Sequence, residues 1–155
     1  MGLTTMVVGW KEYMHLQELS DRLRIAKLDT GALTACLGVE SFEVLEHVSA
    51  PKVRFKLAKT QAEPNPEWQT LPLLGWRTIR DSGGHEESRP LVQTFLQMGV
   101  QSHRLEFTLT SRSRMRTKVL LGRKALRAFG FQIDPTRTFL LGRGSSSAMT
   151  EGNNV

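Results

Sequence analysis

The stretch "AKLDTGALTACL", residues 26–37, decides how this chain is interpreted, because it sets an aspartate among small and apolar residues. An alternating apolar and polar approach, typical of a half-buried strand, leads into Asp29. Asp, Thr and Gly are ordinary turn formers, so Asp29-Thr30-Gly31 alone favours a tight turn after that strand. Ala32 follows the triplet, and together with the apolar approach it predicts a partly buried carboxylate. A simple turn and a chemical role both stay open at this point.

An apolar-apolar-Gly pattern lies downstream in "VLLGRKAL", residues 119–126. The apolar run predicts a short strand that ends at Gly122. Residues 123–129, "RKALRAF", predict a helix, and Gly130 stands where a left-handed C-cap is expected. This is the only convincing helix that the sequence predicts.

Most of the remaining chain predicts short strands separated by Gly, Pro and polar turns. Residues 52–59, "KVRFKLAK", alternate cleanly, which places Val53, Phe55 and Leu57 on the buried face of an antiparallel strand. The other predicted strands are residues 4–14 (with Val7 and Val8 buried), 23–29, 34–46 (broken at Gly38 into two runs), 91–98, 103–110 and 118–122, followed by a hairpin-like close at 131–142. This pattern predicts an all-β fold with one short C-terminal helix, closed into a small β-barrel.

Length and composition favour a single globular domain. The 155 residues are 39% hydrophobic, enough for a packed core. We expect the domain to span residues 1–143, followed by a disordered tail over 144–155. Cys36 is the one cysteine, so neither an internal disulfide nor a cysteine-based zinc site is expected. We expect no signal peptide and no apolar run of the roughly 18 residues that span a bilayer, which predicts a cytoplasmic protein without a membrane partner.

The net charge of +6 is unevenly distributed along the chain. Residues 1–100 carry 11 basic and 12 acidic residues, whereas residues 101–130 carry eight basic residues against Glu106 alone. A local positive field of this kind favours an anionic partner. Charge by itself does not distinguish an acidic protein from RNA, and a solvated loop explains it equally well.

The order of these motifs resembles the retropepsin-like aspartic peptidases, in which an apolar strand enters Asp-Thr-Gly-Ala and an apolar-apolar-Gly segment later precedes a short helix. The likeness is closest to a bacterial subgroup often labelled ATP-dependent zinc proteases. It rests on "VVGWKEY", "AKLDTGALT", "DSGGHEESRP", "LEFTLTSRSRM", "VLLGRKAL" and "DPTRTFLLGR", which occur in that order over residues 6–143. Motif order over such a length is far more specific than the triplet.

The resemblance implies that Asp29 is a catalytic carboxylate, with Thr30 bracing the loop and Gly31 letting the backbone approach the carboxylate and donate to it. In this family two such carboxylates share a proton and together activate water against a peptide carbonyl. The chain contains one Asp-Thr-Gly, so the resemblance implies a homodimer with Asp29 of each copy at the twofold axis. The flap over the substrate would come from residues 38–59 or 81–90.

Two residues depart from the family pattern. Leu33 stands where retropepsins often carry an acidic residue that pairs with the Arg after the second Gly, so Arg123 lacks its usual partner. In the bacterial subgroup the same position is usually Arg, and Gly38 replaces a His. We therefore expect specificity to differ more than the dyad does.

The subgroup is associated with ligases that add glutamate tails to a ribosomal protein. The resemblance therefore implies an acidic peptide as substrate, such as a poly-α-glutamate chain or a glutamate-tailed protein. Arginine forks hold carboxylates through two parallel hydrogen bonds, which suits such a substrate. The candidate substrate-binding residues are Ala32, His85, Arg89, Arg112, Arg114, Arg116 and Arg123.

Neither a metal nor any other cofactor is predicted. The four histidines are far apart in sequence, and the chain has no His-Glu-x-x-His motif and no phosphate-binding loop that would support ATP. His85 with Glu86 or Glu87 could ligate a metal, but a solvated turn is the better interpretation of that segment.

Two alternatives to a peptidase remain at this stage. A retropepsin-like module could bind an acidic protein tail or RNA without cleaving it, and Leu33 and Gly38 give that hypothesis some weight. A basic β-barrel that binds RNA would need exposed aromatic side chains for stacking. The aromatic residues fall mainly at predicted core positions, so a nucleic-acid partner is the least favoured.

Overall fold

The computed structural model describes residues 5–46, 49–80, 83–111 and 117–144. These residues form eleven strands and one helix, which confirms a mainly β fold with one short C-terminal helix. The elements are β1 (Met6–Gly9), β2 (Lys11–Met14), β3 (Arg24–Leu28), β4 (Ala35–Leu45), β5 (Lys52–Leu57), β6 (Trp68–Pro72), β7 (Gly75–Arg80), β8 (Glu86–Met98), β9 (Gln101–Thr110), β10 (Val119–Leu121), α1 (Arg123–Phe129) and β11 (Phe131–Asp134).

Nine strands form one sheet with the pairing order β2-β3-β10-β4-β9-β8-β7, to which β5 is joined through β4 and β6 through β5. β10 runs parallel to β3 and antiparallel to β4. β1 and β11 form a separate parallel pair. The strand that leads into Asp29 is therefore flanked on both sides, by β2 and by β10.

The sheet is not closed among the described residues, so the predicted closed barrel is not confirmed. The two ends of the pairing order, β2 and β7, do not pair with each other, and the sheet also divides at β4, whose 11 residues contain a register shift between Val39 and Ser41. Its first half pairs with β9 and β10 and its second half with β5, so the sheet branches at this strand. An isolated bridge between His15 and Gln97 links the chain after β2 to β8.

The core is built from alternate residues of these strands. Val53, Phe55 and Leu57 are all buried, which confirms the alternation predicted for β5. Phe107 and Leu109 of β9 are buried in the same way. Each fully buried side chain of this size contributes roughly 1.5–3 kcal/mol to folding, so the apolar faces of the central strands hold the site-bearing loops in place.

Three local predictions were wrong. Val7 is 54% exposed, because β1 pairs only with β11 at the margin of the fold. Residues 34–46 contain one continuous strand instead of two, because Gly38 of β4 pairs with Thr110 of β9 and does not break the strand. The close at 131–142 is not a hairpin, because β11 pairs in parallel with the distant β1.

The helix prediction is confirmed: α1 ends at Gly130, which has φ 71° and donates its N–H to carbonyls of the last turn. The segment predicted as a disordered tail lies, apart from Gly144, outside the described residues. Within the described ranges, no helix is both long and apolar enough to cross a membrane.

Candidate functional site

Asp29 follows β3 directly, and its backbone is fixed by the two neighbouring segments. Its N–H donates to the carbonyl of Leu121 at the end of β10, over 2.9 Å. The N–H of the preceding Leu28 donates to the carbonyl of Trp10, also over 2.9 Å. The backbone that enters the turn is therefore hydrogen-bonded to a neighbouring segment on each side. Asp29 itself is half-buried.

The Asp29-Thr30-Gly31 turn is closed by the carboxylate itself. The Gly31 N–H donates to Asp29 Oδ1 over 2.8 Å, which is the side-chain turn that aspartate forms with the backbone two residues on. A Cβ at position 31 would lie 3.0 Å from this oxygen, a tight contact from which the carboxylate would have to shift by a few tenths of an ångström, so glycine favours this close approach. The carboxylate that closes the turn is thus also held in a fixed position. A simple turn and a chemical role for Asp29 are therefore compatible.

Gly122 lets the start of α1 pack directly on the chain after the turn. The N–H groups of Arg123 and Lys124 donate to the carbonyls of Ala32 and Leu33, over 2.8 and 3.0 Å. A Cβ on Gly122 would lie 2.7 Å from the Ala32 carbonyl oxygen and 2.8 Å from the Leu33 carbonyl carbon, and such a distance is a clash with the backbone. The downstream glycine is therefore required by this contact with the aspartate loop.

Arg123 holds the same loop with its side chain. Its Nη1 donates to the Thr30 carbonyl over 2.8 Å. Leu33 removes the acidic partner that the resemblance to retropepsins implies for Arg123, and a main-chain oxygen takes that place. Arg123 also borders a small hollow with Leu126 and Arg127, so the structure places it beside the turn, where it positions the loop.

A cleft of about 480 Å³ opens between the Asp29 loop and the β7–β8 hairpin. We call it the hairpin cleft. Four consecutive residues of β7 contribute to one wall, and residues 31–34 with the start of α1 contribute to another. Its lining residues are Gly31, Ala32, Leu33, Thr34, Cys36, Arg77, Thr78, Ile79, Arg80, Arg89, Thr108, Leu120 and Lys124.

The charged side chains that line the hairpin cleft are all cations: Arg77, Arg80, Arg89 and Lys124. Arg80 forms an ion pair with Glu86 across the hairpin. Arg89 forms an ion pair with Glu87 over 3.0 Å, and its Nη1 lies 3.7 Å from the Cys36 sulfur. The cleft beside the aspartate turn is therefore positively charged at its walls.

The structure brings some of the predicted site residues together and separates others. Ala32 and Arg89 line the hairpin cleft with Gly31, while Thr30 is exposed on the side of the turn that faces Arg123. His85 is exposed at the end of the β7–β8 hairpin. The remaining candidates, Arg112, Arg114 and Arg116, lie outside the described residues.

Sequence reasoning missed three cations of the cleft: Arg77, Arg80 and Lys124. Arg77 and Arg80 belong to β7, whose sequence "GWRTIR" has no strict apolar alternation and was not predicted as a strand. The polar, Gly-containing turn at 81–90 could have indicated them. A hairpin turning there would pair the residues before it with the segment that contains Arg89. Lys124 follows the Gly122 motif by two positions and could have been found from that spacing.

A second cavity, of about 510 Å³, lies between β2, β3 and residues 59–64. Its walls are largely apolar, and its guanidinium, from Arg24, is already bound to Glu63 and to the Ala58 carbonyl. No three His, Cys, Asp or Glu side chains are grouped as metal ligands in the part of the chain that the structure describes. The hairpin cleft is therefore the best candidate site.

Comparison with protein families gives one match that covers most of the chain. The model described as RimB-like, "Retropepsin-like aspartic endopeptidase RimB", matches residues 7–143. A solved structure of a Legionella pneumophila protein with unknown function has a TM-score of 0.73 and 26% identity, and the alignment covers 89% of this chain and 99% of that one.

Curated relatives include longer proteins named probable alpha-L-glutamate ligase. The relative from Shewanella pealeana is 27% identical over 143 residues, which is 92% of this chain but 31% of the relative. One from Parasynechococcus marenigrum is 29% identical over 122 residues, 78% of this chain and 26% of the relative. The chain thus spans less than a third of the length of these relatives.

Proposed function

The chain belongs to the RimB-like family of retropepsin-like aspartic endopeptidases, and from this premise we propose that it hydrolyses peptide bonds in acidic, glutamate-rich chains. The observation that carries the proposal is the Asp29 turn. Its carboxylate accepts a hydrogen bond from Gly31, and the turn is fixed on the Gly122–α1 junction beside a cationic cleft.

The chemistry needs two carboxylates, and this chain offers one Asp-Thr-Gly. We infer that two copies associate about a twofold axis so that both Asp29 side chains meet. Two carboxyl groups that lie against each other do not both ionise, because the two negative charges would repel, so the pair shares one proton. The ionised member takes a proton from water as the oxygen attacks the carbonyl carbon, and the protonated member donates its proton to the carbonyl oxygen. The resulting diol collapses when the carboxyl that took the water proton donates it to the amide nitrogen and the other carboxylate takes a proton from one diol hydroxyl, so that the C–N bond breaks and the amine leaves.

An extended peptide fits the hairpin cleft. Among the described strands, β7 pairs with β8 on one side and ends the sheet, and four of its consecutive residues line the cleft. The free edge of a strand can pair with an added peptide through main-chain hydrogen bonds, with alternate side chains directed to opposite walls. We therefore propose that the flap is the β7–β8 hairpin, whose described residues include 83–90, and not residues 38–59.

The acidic substrate is supported by the cleft and by the relatives. Arg77, Arg80, Arg89 and Lys124 give the walls positive charge, and guanidinium groups bind carboxylates well. The relatives that contain a similar region carry the name probable alpha-L-glutamate ligase. We propose that the α-linked glutamate product of such a ligase is the class of chain that this protein shortens.

The test is cleavage of poly-α-glutamate by the purified protein and by Asp29→Asn. We expect Asp29→Asn to lower kcat by about 10²–10⁴-fold or more, since the shared acid and base are lost together. Asp21→Asn is the matched control, because Asp21 is an exposed carboxylate away from the cleft. Product lengths follow from chromatography, and thermal unfolding checks that both variants are folded. Full activity of Asp29→Asn would overturn the mechanism.

A further inference from the structure

Two arginines lie directly opposite one another in the β7–β8 hairpin. Arg77 and Arg89 are cross-strand partners in the antiparallel register. Directly opposed residues of such a pair have Cβ atoms about 4.5–5.5 Å apart on the same face, where like charges destabilise the sheet. An arrangement of this kind is expected where an anion between the two guanidinium groups offsets the repulsion.

The hairpin supplies carboxylates, but it does not neutralise this pair fully. Glu87 binds Arg89, and it also accepts a hydrogen bond from the Thr110 hydroxyl over 3.1 Å. Arg77 donates to the carbonyl of Trp76. Among the ion pairs of the described residues, neither Arg77 nor Lys124 is joined to a carboxylate. The unneutralised charge lies in the hairpin cleft, on both of its walls.

We propose that Arg77 and Arg89, the arginine pair, bind a side-chain carboxylate of the substrate, with Lys124 placed to attract a second one from the opposite wall. The inference rests on the proposed function and specifies the residues that select an acidic chain. Arg89 is the fixed member, since Glu87 and the Cys36 sulfur hold its guanidinium. Arg77 is the exposed member, and its Nη1 donates to the Trp76 carbonyl instead of to a carboxylate.

The lining of the cleft favours an acidic peptide over RNA. No aromatic side chain is among the described lining residues, so the cleft lacks a surface on which bases stack. Small and aliphatic residues, Ala32, Leu33 and Ile79, lie beside the cations instead. Such surfaces suit the methylene stem of a glutamate side chain, while the guanidinium groups take its carboxylate.

The test measures binding of penta-α-glutamate by calorimetry at low salt, in an Asp29→Asn background so that nothing is cleaved. We expect Arg77→Gln and Arg89→Gln each to weaken binding by about 10- to 100-fold, as for a hydrogen bond between charged groups. Arg104→Gln is the matched control, because Arg104 is an exposed arginine of β9 that lies over Phe95, outside the cleft. Penta-glutamine serves as the uncharged ligand, and its weaker binding should not change among the variants.

Arg89→Lys separates a binding role from a structural one. The lysine keeps a cation beside Glu87 but loses the guanidinium, which can donate two parallel hydrogen bonds to a carboxylate. We therefore expect weaker binding of penta-glutamate and unchanged thermal unfolding. Binding by both Gln variants equal to that of Arg104→Gln would overturn the proposal. Tighter binding of oligouridylate than of penta-glutamate, lost in Arg77→Gln, would overturn it in favour of RNA. If Asp29→Asn still cleaves while binding depends on the arginine pair, the peptidase mechanism fails and the carboxylate site stands.

Discussion

The charges of the hairpin cleft and the charges of the interior are arranged in opposite ways. In the cleft, Arg77 lies opposite Arg89 and Lys124 adds a further positive charge. In the interior, Glu12 and Arg24 are almost wholly inaccessible to solvent, and each is hydrogen-bonded to groups of the protein. The difference separates charges that fix the fold from charges that are free to bind a ligand.

Glu12 shows the interior arrangement most clearly. It is 0% exposed, and its two carboxylate oxygens accept three backbone N–H groups, from Gly9, Leu140 and Leu141, over 2.6, 2.9 and 3.0 Å. Burial of a charge is costly unless it is fully hydrogen-bonded, and here the bonds join β2 to the C-terminal part of the described chain. The glutamate of the "VVGWKEY" motif is therefore a structural residue.

Arg24 is the second interior charge and lies in β3, the strand that leads into Asp29. Its Nη2 pairs with Glu63 over 2.7 Å and its Nη1 donates to the Ala58 carbonyl over 2.8 Å. Burial lowers the pKa of the Arg24 guanidinium, and the hydrogen bond and charge of Glu63 act in the opposite direction. The Ser20 hydroxyl also donates to Glu63, so this pair ties the strand to the loop after β5.

The largest expected effect comes from Glu63→Ala, which leaves Arg24 buried without its carboxylate. We expect the free energy of unfolding to fall by about 3–4 kcal/mol, measured by urea denaturation. Glu67→Ala is the matched control, since Glu67 is exposed nearby. Arg24→Met should cost less in the Glu63→Ala background than in the wild type, because the unpaired charge is then removed. A loss as small as that of Glu67→Ala would show that the interior pair does not stabilise the fold.

The local elements were predictable from sequence, because their causes are local. The alternation of residues 52–57 and the glycine after α1 are both set by neighbouring residues. The predicted closure into a barrel is not confirmed, because closure depends on which distant strands pair, and local sequence does not determine that. β4 divides its partners at a register shift, and β11 pairs with β1 from the other end of the chain.

The candidate site was predictable in part, for the same reason. The Asp29 turn and Gly122 are short motifs, and their contact explains why both occur. Apart from Arg89, the candidate arginines were predicted within residues 101–130, where basic residues cluster along the chain. The cleft takes Lys124 from that segment, but its other cations, Arg77, Arg80 and Arg89, come from a part of the sequence with nearly balanced charge, because hairpin pairing places them together. Net charge along a sequence does not report charge in space.

A smaller effect is expected from Glu12→Gln. The amide can accept through one oxygen, and its NH₂ group would face a backbone N–H that the second carboxylate oxygen accepted. We expect a loss of about 2–3 kcal/mol, as for buried donors left unsatisfied beside a former charge. Glu46→Gln is an exposed control. Penta-glutamate affinity of the folded variant should equal that of the wild type, and a selective loss of affinity would place Glu12 with the cleft charges.

The smallest effect is expected at Asp134, whose carboxylate is hydrogen-bonded like the interior charges but only partly buried. Oδ1 accepts from the Thr136 hydroxyl and N–H, over 2.6 and 2.9 Å, and these bonds hold the pKa of the Asp134 carboxyl below its ordinary value, with Arg137 adding to the effect. A lowered pKa in the folded state stabilises the fold above the unfolded pKa, and this stabilisation is lost as the pH falls through the folded pKa. Asp134→Asn should therefore be slightly less stable than the wild type near neutral pH, with the difference shrinking below about pH 4. Urea denaturation across this range measures it, and a difference independent of pH would mean that the ionised carboxylate does not stabilise the turn after β11.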